Sequence, residues 1–189
     1  MRRRHHKIGS FEMTQPVMRV SDPCYSKDTW CVGTIENCVT GKWEAAVAYK
    51  DEGDWGNRVS ILIARHESGP AFSAANRIYM KENNDAGTAT VYWPKHGWDR
   101  ISDIDVDSGQ CGLFDDAKYQ DESVFKKKAK CGFDDGWYGH CCNRTFSDKR
   151  AGVIPGGAVS SSGLGDGGYD AFYHVNDAGK VDMACILYL

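Results

Sequence analysis

No run of apolar residues in this chain approaches the roughly 20 that a membrane-spanning helix requires, so no membrane association is expected. Met1 to Ser10 is basic, but no apolar segment of about 7–15 residues follows it, so a secretory signal is not expected either and the expected location is cytoplasmic. Proline is scarce, 5 residues in 189, and no stretch rich in Pro, Gly or Ser is long enough to divide the chain. Internal repeats are missing. So are a G-x-S-x-G elbow around Ser160, Ser161 and Ser162 and a phosphate-binding Walker loop, which removes the commonest sequence signals of a serine hydrolase and a P-loop nucleotidase.

What the chain does have is 21 glycines and 12% aromatic residues, the composition of many short strands joined by tight turns. Its length suffices for one hydrophobic core, burying roughly 70% of the surface that the unfolded chain exposes. Eight cysteines in a chain of this size without an export signal read as reduced thiols rather than a disulfide framework. The formal charge of −3 becomes −7 once the four cations Arg2, Arg3, Arg4 and Lys7 are set aside. Residues 1–15 therefore read as a basic N-terminal arm that could hold phosphate, nucleic acid or an acidic partner, and 16–189 as a single acidic β-rich domain. Nucleic acid is not expected to bind except through that arm, because such binding rests on neutralising phosphates.

Strand patterns dominate the rest. Val17 to Val20 alternates, followed by a Ser21-Asp22-Pro23-Cys24-Tyr25 turn. Gly41 to Tyr49 and Asn57 to His66 make a hairpin, and Val59 to Ile63 is apolar at nearly every position, the mark of a strand covered on both faces. Thr88 to Trp93 is rich in β-branched and aromatic residues, after a polar turn at 81–87. Ile104 and Val106 alternate with Asp103, Asp105 and Asp107. Tyr169 to Val175 and Val181 to Tyr188 flank Asn176-Asp177-Ala178-Gly179, which is hairpin-turn chemistry. One helix is expected over 115–130, with Asp115 or Asp116 as its cap and lysines at its end, complementing the helix dipole; His140 to Phe146 reads as a strand. The expected fold is mainly β, an antiparallel sandwich or curled sheet with that one helix.

Individual motifs give weaker signals. Gly163 to Gly168 fits G-x-G-x-x-G, but a strand pattern follows where the dinucleotide fingerprint needs a helix. It reads as a mobile turn or as a nest of backbone N–H groups for a small anion or nucleotide. Asp103-x-Asp105-x-Asp107 starts like a calcium loop, yet Ser108 and Phe114 stand where an EF-hand needs Gly and Glu. A different oxygen site built from Asp107, Asp115 and Asp166 stays open, so a divalent metal is the one cofactor considered and none is predicted. Cys131, His140, Cys141 and Cys142 offer zinc-type ligands without paired zinc spacing.

Two blocks resemble a family. Asp105-Val106-Asp107-Ser108-Gly109-Gln110 with Phe114-Asp115, and Ser161-Ser162-Gly163-Leu164-Gly165-Asp166-Gly167-Gly168-Tyr169 before a terminal hairpin, are similar to signatures of the domain-of-unknown-function family DUF 4241 of bacteria and phages. The resemblance covers mainly 101–189, and Ser21 to Tyr25 fits it. It implies a phage-type protein, in the host cytoplasm or the virion, and carries no activity. The two blocks are expected to meet on one face and form a binding patch of Asp107, Ser108, Gly109, Gln110, Ser161, Ser162, Gly163, Gly165, Asp166 and Tyr169, without a catalytic residue. The favoured reading is a non-enzymatic binding or assembly protein with a protein partner. A small-anion or nucleotide binder acting through the Gly-rich loop and a metal-dependent hydrolase using the aspartates are the alternatives.

Overall fold

The computed structural model describes residues 3–82, 89–132 and 134–189; Arg2 and most of the turn expected at 81–87 lie outside them. The chain is mainly antiparallel β, built as a sandwich. One sheet has six strands in the order β1 (His6–Met13), β4 (Gly41–Asp51), β5 (Asn57–His66), β13 (Val181–Leu187), β12 (Gly167–Val175) and β8 (Trp98–Val106). The other has five: β10 (Ala151–Ile154), β11 (Gly157–Ser161), β9 (Gln110–Asp115), β2 (Met18–Ser21) and β3 (Gly33–Ile35). A separate hairpin pairs β6 (Tyr79–Glu82) with β7 (Ala89–Tyr92). Among the described residues there is no helix long and apolar enough to cross a membrane.

The two-residue period of a strand explains the layering. In β13, Ala184 and Ile186 enter the core between the sheets, while Met183, Cys185 and Leu187 enter a second cluster on the outer face of the six-stranded sheet. In β5, Leu62 and Ala64 go inward, and Ile61 and Ile63 outward. The segment 72–80 and β7 cover the outward face with Phe72, Ile78, Met80 and Val91. Both faces of the central strands are thus dry, as their unbroken apolar runs require. The five-stranded sheet is covered likewise: Phe114 and Val159 turn away from the central core and pack on Tyr119, Trp137 and Cys141. Gly112 is needed there, because a Cβ on it would lie 2.2 Å from Phe114 Cζ.

Three expectations are corrected. The helix is not at 115–130. That stretch forms two single 3-10 turns, Asp116–Lys118 and Glu122–Val124, and between them Gln120 has a φ of +59°, which no right-handed helix accommodates. The helix α1 is Trp137–Thr145, where the C-terminal half was read as a strand. Trp137, Cys141 and Thr145 are spaced by four and all buried. The free N–H groups at its start are taken by carboxylates: Trp137 N donates to Glu122 Oε1 at 2.8 Å, and Gly136 N and Gly139 N donate to Asp134 Oδ1 at 2.8 and 3.0 Å. These acceptors lie outside the helix, so local propensity could not reveal it.

Residues 3–15 are not a free arm. His6 to Met13 is an edge strand in register with β4, and Phe11 and Met13 are buried in the core. Lys7 and Arg65 both bond the Glu44 carboxylate, Arg65 Nη2 at 2.7 Å. The hydrogen bonds from Lys7 and then Arg65 hold the Glu44 carboxyl below its ordinary pKa. A depressed folded-state pKa gives stability that is present above the unfolded value and lost as pH falls through the folded one. Wild type is therefore expected to melt above a Glu44→Gln variant at pH 7, and the two melting curves should converge below about pH 4.

Candidate functional site

Asp22 organises the site. It follows β2 and is fully buried. Its Oδ2 accepts Asp107 N at 2.9 Å and Ser108 N at 2.7 Å; its Oδ1 accepts Ser108 Oγ at 2.6 Å and Cys24 N at 2.9 Å. One carboxylate thereby fixes the turn between β8 and β9 and the loop that begins at Pro23. That loop is anchored a second time. Tyr119 Oη lies 2.7 Å from the Tyr25 carbonyl, and buried Arg19 bonds Asp116 Oδ1 at 2.7 Å and the Lys27 carbonyl at 3.1 Å. Asp105 N donates to the Cys31 carbonyl at 3.2 Å, fastening the far end of the loop to β8.

The two sequence blocks come together. Ser162 N donates to the Gly109 carbonyl at 3.0 Å, Ser161 pairs with Gln110, and Gly167 and Gly168 pair with Val106 and Asp105. Tyr169 Oη sits 2.8 Å from the Ser162 carbonyl and 2.7 Å from that of Gly165, and Ser162 Oγ donates to the Gly165 carbonyl at 2.7 Å. These bonds close the Gly-rich segment on itself. Gly163 is buried against Tyr188 and Leu189, and only Gly165 has open space where a Cβ would stand.

A cleft of about 440 Å³ lies at this junction. Asp107 and Asp166 both line it, with Asp105, Tyr25 and Trp30. Trp30 is 83% exposed, an unusual position for an indole. Burial first, then Cys31 and Asp107, hold the Tyr25 phenol above its ordinary pKa, so it is a neutral hydrogen-bonding group. Among the described residues, no lysine, arginine or histidine lines the cleft. Carboxylates on its wall repel an anion, which argues against the small-anion reading of the Gly-rich loop at this place.

The other expected site residues serve the frame. Ser108 is tied to Asp22. Gln110 is buried; its Oε1 accepts Thr145 Oγ1 at 2.9 Å, and its Nε2 points at Tyr138 Oη and Cys142 Sγ, each at 3.4 Å, which joins the turn to α1. Asp115 does not approach Asp107 and Asp166 in a common ligand shell. Its buried carboxylate is taken by Thr14 N at 2.6 Å, Thr14 Oγ1 at 2.5 Å and Ala117 N at 3.0 Å. Among the described residues, no three His, Cys, Asp or Glu side chains converge as a metal site. The zinc-type candidates disperse too. Cys141 packs beside Trp137, and His140 stacks on Phe125 at 3.8 Å. All eight cysteines are unpaired, and burial pushes the Cys38 and Cys185 thiols up to about 12, where they stay protonated and inert.

Residue-level reading missed Tyr25, Trp30 and Asp105 as wall residues and Asp22 as the clamp. The Ser21 to Tyr25 block held the available signal. Comparisons with protein-family models, with curated proteins and with solved structures give no match.

Proposed function

We propose that this is a non-enzymatic binding or assembly protein, of the phage type suggested by its resemblance to DUF 4241, whether as a virion component or a host-directed factor. The cleft beside Trp30 takes a basic side chain of a protein partner. The observation that carries this reading is the cleft wall: Asp105, Asp107 and Asp166 face the same space as an indole that is almost wholly exposed. Carboxylates supply charge complementarity, and an indole face attracts an ammonium or guanidinium group. Exposed tryptophans are also the residues on which interfaces concentrate their binding energy. The wall is fixed in advance by Asp22, Arg19 and Tyr119, so little ordering cost falls on binding. Among the described residues, Cys31 is the one thiol on the wall and no imidazole lines the cleft with it, which favours binding over covalent catalysis.

The test is calorimetric titration with a short arginine peptide and a matched glutamate peptide. The arginine peptide should bind and the glutamate peptide should not. Trp30→Ala, or Asp107→Ala combined with Asp166→Ala, should weaken binding about five- to tenfold without moving the melting temperature. Arginine-peptide affinity indifferent to all three substitutions would sink the reading. Early melting of the aspartate variants would instead make the patch structural.

A further inference from the structure

A second pocket, of about 220 Å³, has the opposite polarity. It is lined by Arg3, Arg4, Lys50, Tyr49, Tyr79 and Leu189, among others, with no Asp or Glu side chain on its wall among the described residues. It lies where the N-terminal segment crosses the end of β4 and the start of β6. Arg3 is half-buried, and its guanidinium donates to the carbonyls of Ile78 and, at 3.4 Å, Leu189. Arg4 is exposed and has no partner among the described residues. Lys50 pairs with Glu52 at 2.7 Å, outside the pocket wall.

We infer that this pocket binds an organic phosphate carrying one flat ring, a nucleoside monophosphate being the simplest case. A half-buried guanidinium, an exposed arginine without a partner among the described residues and a lysine share one pocket, and an anion completes that arrangement. Burial lowers the Arg3 pKa, the response of a charge held away from water. Arginine offers paired donors matched to phosphate oxygens, and lysine adds a point charge. The ring specificity comes from Tyr79. It stacks on Tyr92 at 5.0 Å between centroids, is 44% exposed and lines the pocket, so a flat ligand ring can extend the stack. The volume is below the roughly 300 Å³ at which sites for larger ligands begin, which argues against a dinucleotide or a nucleoside triphosphate held in full. This site shares no residue with the cleft beside Trp30, and the two readings stand or fall separately.

The experiment titrates the full chain with AMP, inorganic phosphate and adenosine at millimolar concentrations, followed by calorimetry. AMP is expected to bind, inorganic phosphate more weakly, and adenosine not measurably. The double variant Arg4→Gln, Lys50→Gln changes two exposed side chains and should fold normally; its AMP affinity is expected to fall at least about tenfold. Tyr79→Ala should bring AMP down to the level of inorganic phosphate. Absent AMP binding, adenosine equal to AMP, inorganic phosphate equal to AMP in wild type, or an unchanged double variant would each overturn the proposal.

Discussion

Asp22→Ala is expected to destabilise the protein by about 3–5 kcal/mol, lowering its melting temperature by roughly 10 °C for a chain of this size. The reason is asymmetry. Asp22 accepts four hydrogen bonds from Cys24, Asp107 and Ser108 at a position with no solvent exposure. Removing the acceptor leaves the donors unpaired, and each buried unpaired donor costs about 1–3 kcal/mol. Because Cys24 is exposed and Ser108 half-exposed, water recovers part of that loss. Asp22→Asn keeps the volume but turns an NH2 group toward donors, so it should recover less than half of the deficit. A melting temperature within about 2 °C of wild type for Asp22→Ala would show that the turn is held by other contacts. Since the same carboxylate fixes Asp107 and the loop bearing Trp30, both variants should also lose arginine-peptide binding while still folded at low temperature.

Trp137→Ala is the second large effect, about 3–5 kcal/mol. The side chain is 1% exposed and meets Phe114 at 5.2 Å and Tyr119 at 4.9 Å between ring centroids. Its loss opens a cavity under α1, which Gln110 and Thr145 connect to the turn of the candidate site. Trp137→Phe separates packing from polarity. Trp137 Nε1 is buried without a hydrogen-bond partner among the described residues, and phenylalanine removes that unpaired donor while keeping most of the ring contact. It should cost below about 1.5 kcal/mol. Urea unfolding at fixed pH distinguishes the two. Equal losses for Ala and Phe would mean that the indole N–H has a partner and that its hydrogen bond, rather than ring packing, holds the helix.

The sandwich was legible because its strands announce themselves twice, by residue type and by period. Val59 to Ile63 reads as covered on both faces, and two separate apolar clusters take its alternate side chains. The terminal hairpin was legible from Asn176 to Gly179 alone. The helix was not. Asp115 to Lys130 carries caps and charge order suited to a helix, yet Asp115 is drawn to Thr14, 101 residues away, and Gln120 adopts a left-handed conformation. Trp137 to Thr145 carries β-branched and aromatic neighbours and two adjacent cysteines, yet Asp134 and Glu122 satisfy its first N–H groups. Helices this short are marginal on their own, so tertiary contacts decide them.

The amino-acid order determined an antiparallel β class, the turns, and two glycine-marked blocks with carboxylates at their ends, because strand periodicity and turn chemistry act between near neighbours. Only the tertiary structure decided which carboxylates share a space. Asp107 and Asp166 line one cleft and Asp115 serves the frame, because a buried acid goes to whatever donors the packed chain brings within about 3 Å, and those donors lie tens of residues away. The same physics turned the basic start of the chain into an edge strand and set Arg3 and Arg4 beside Tyr79.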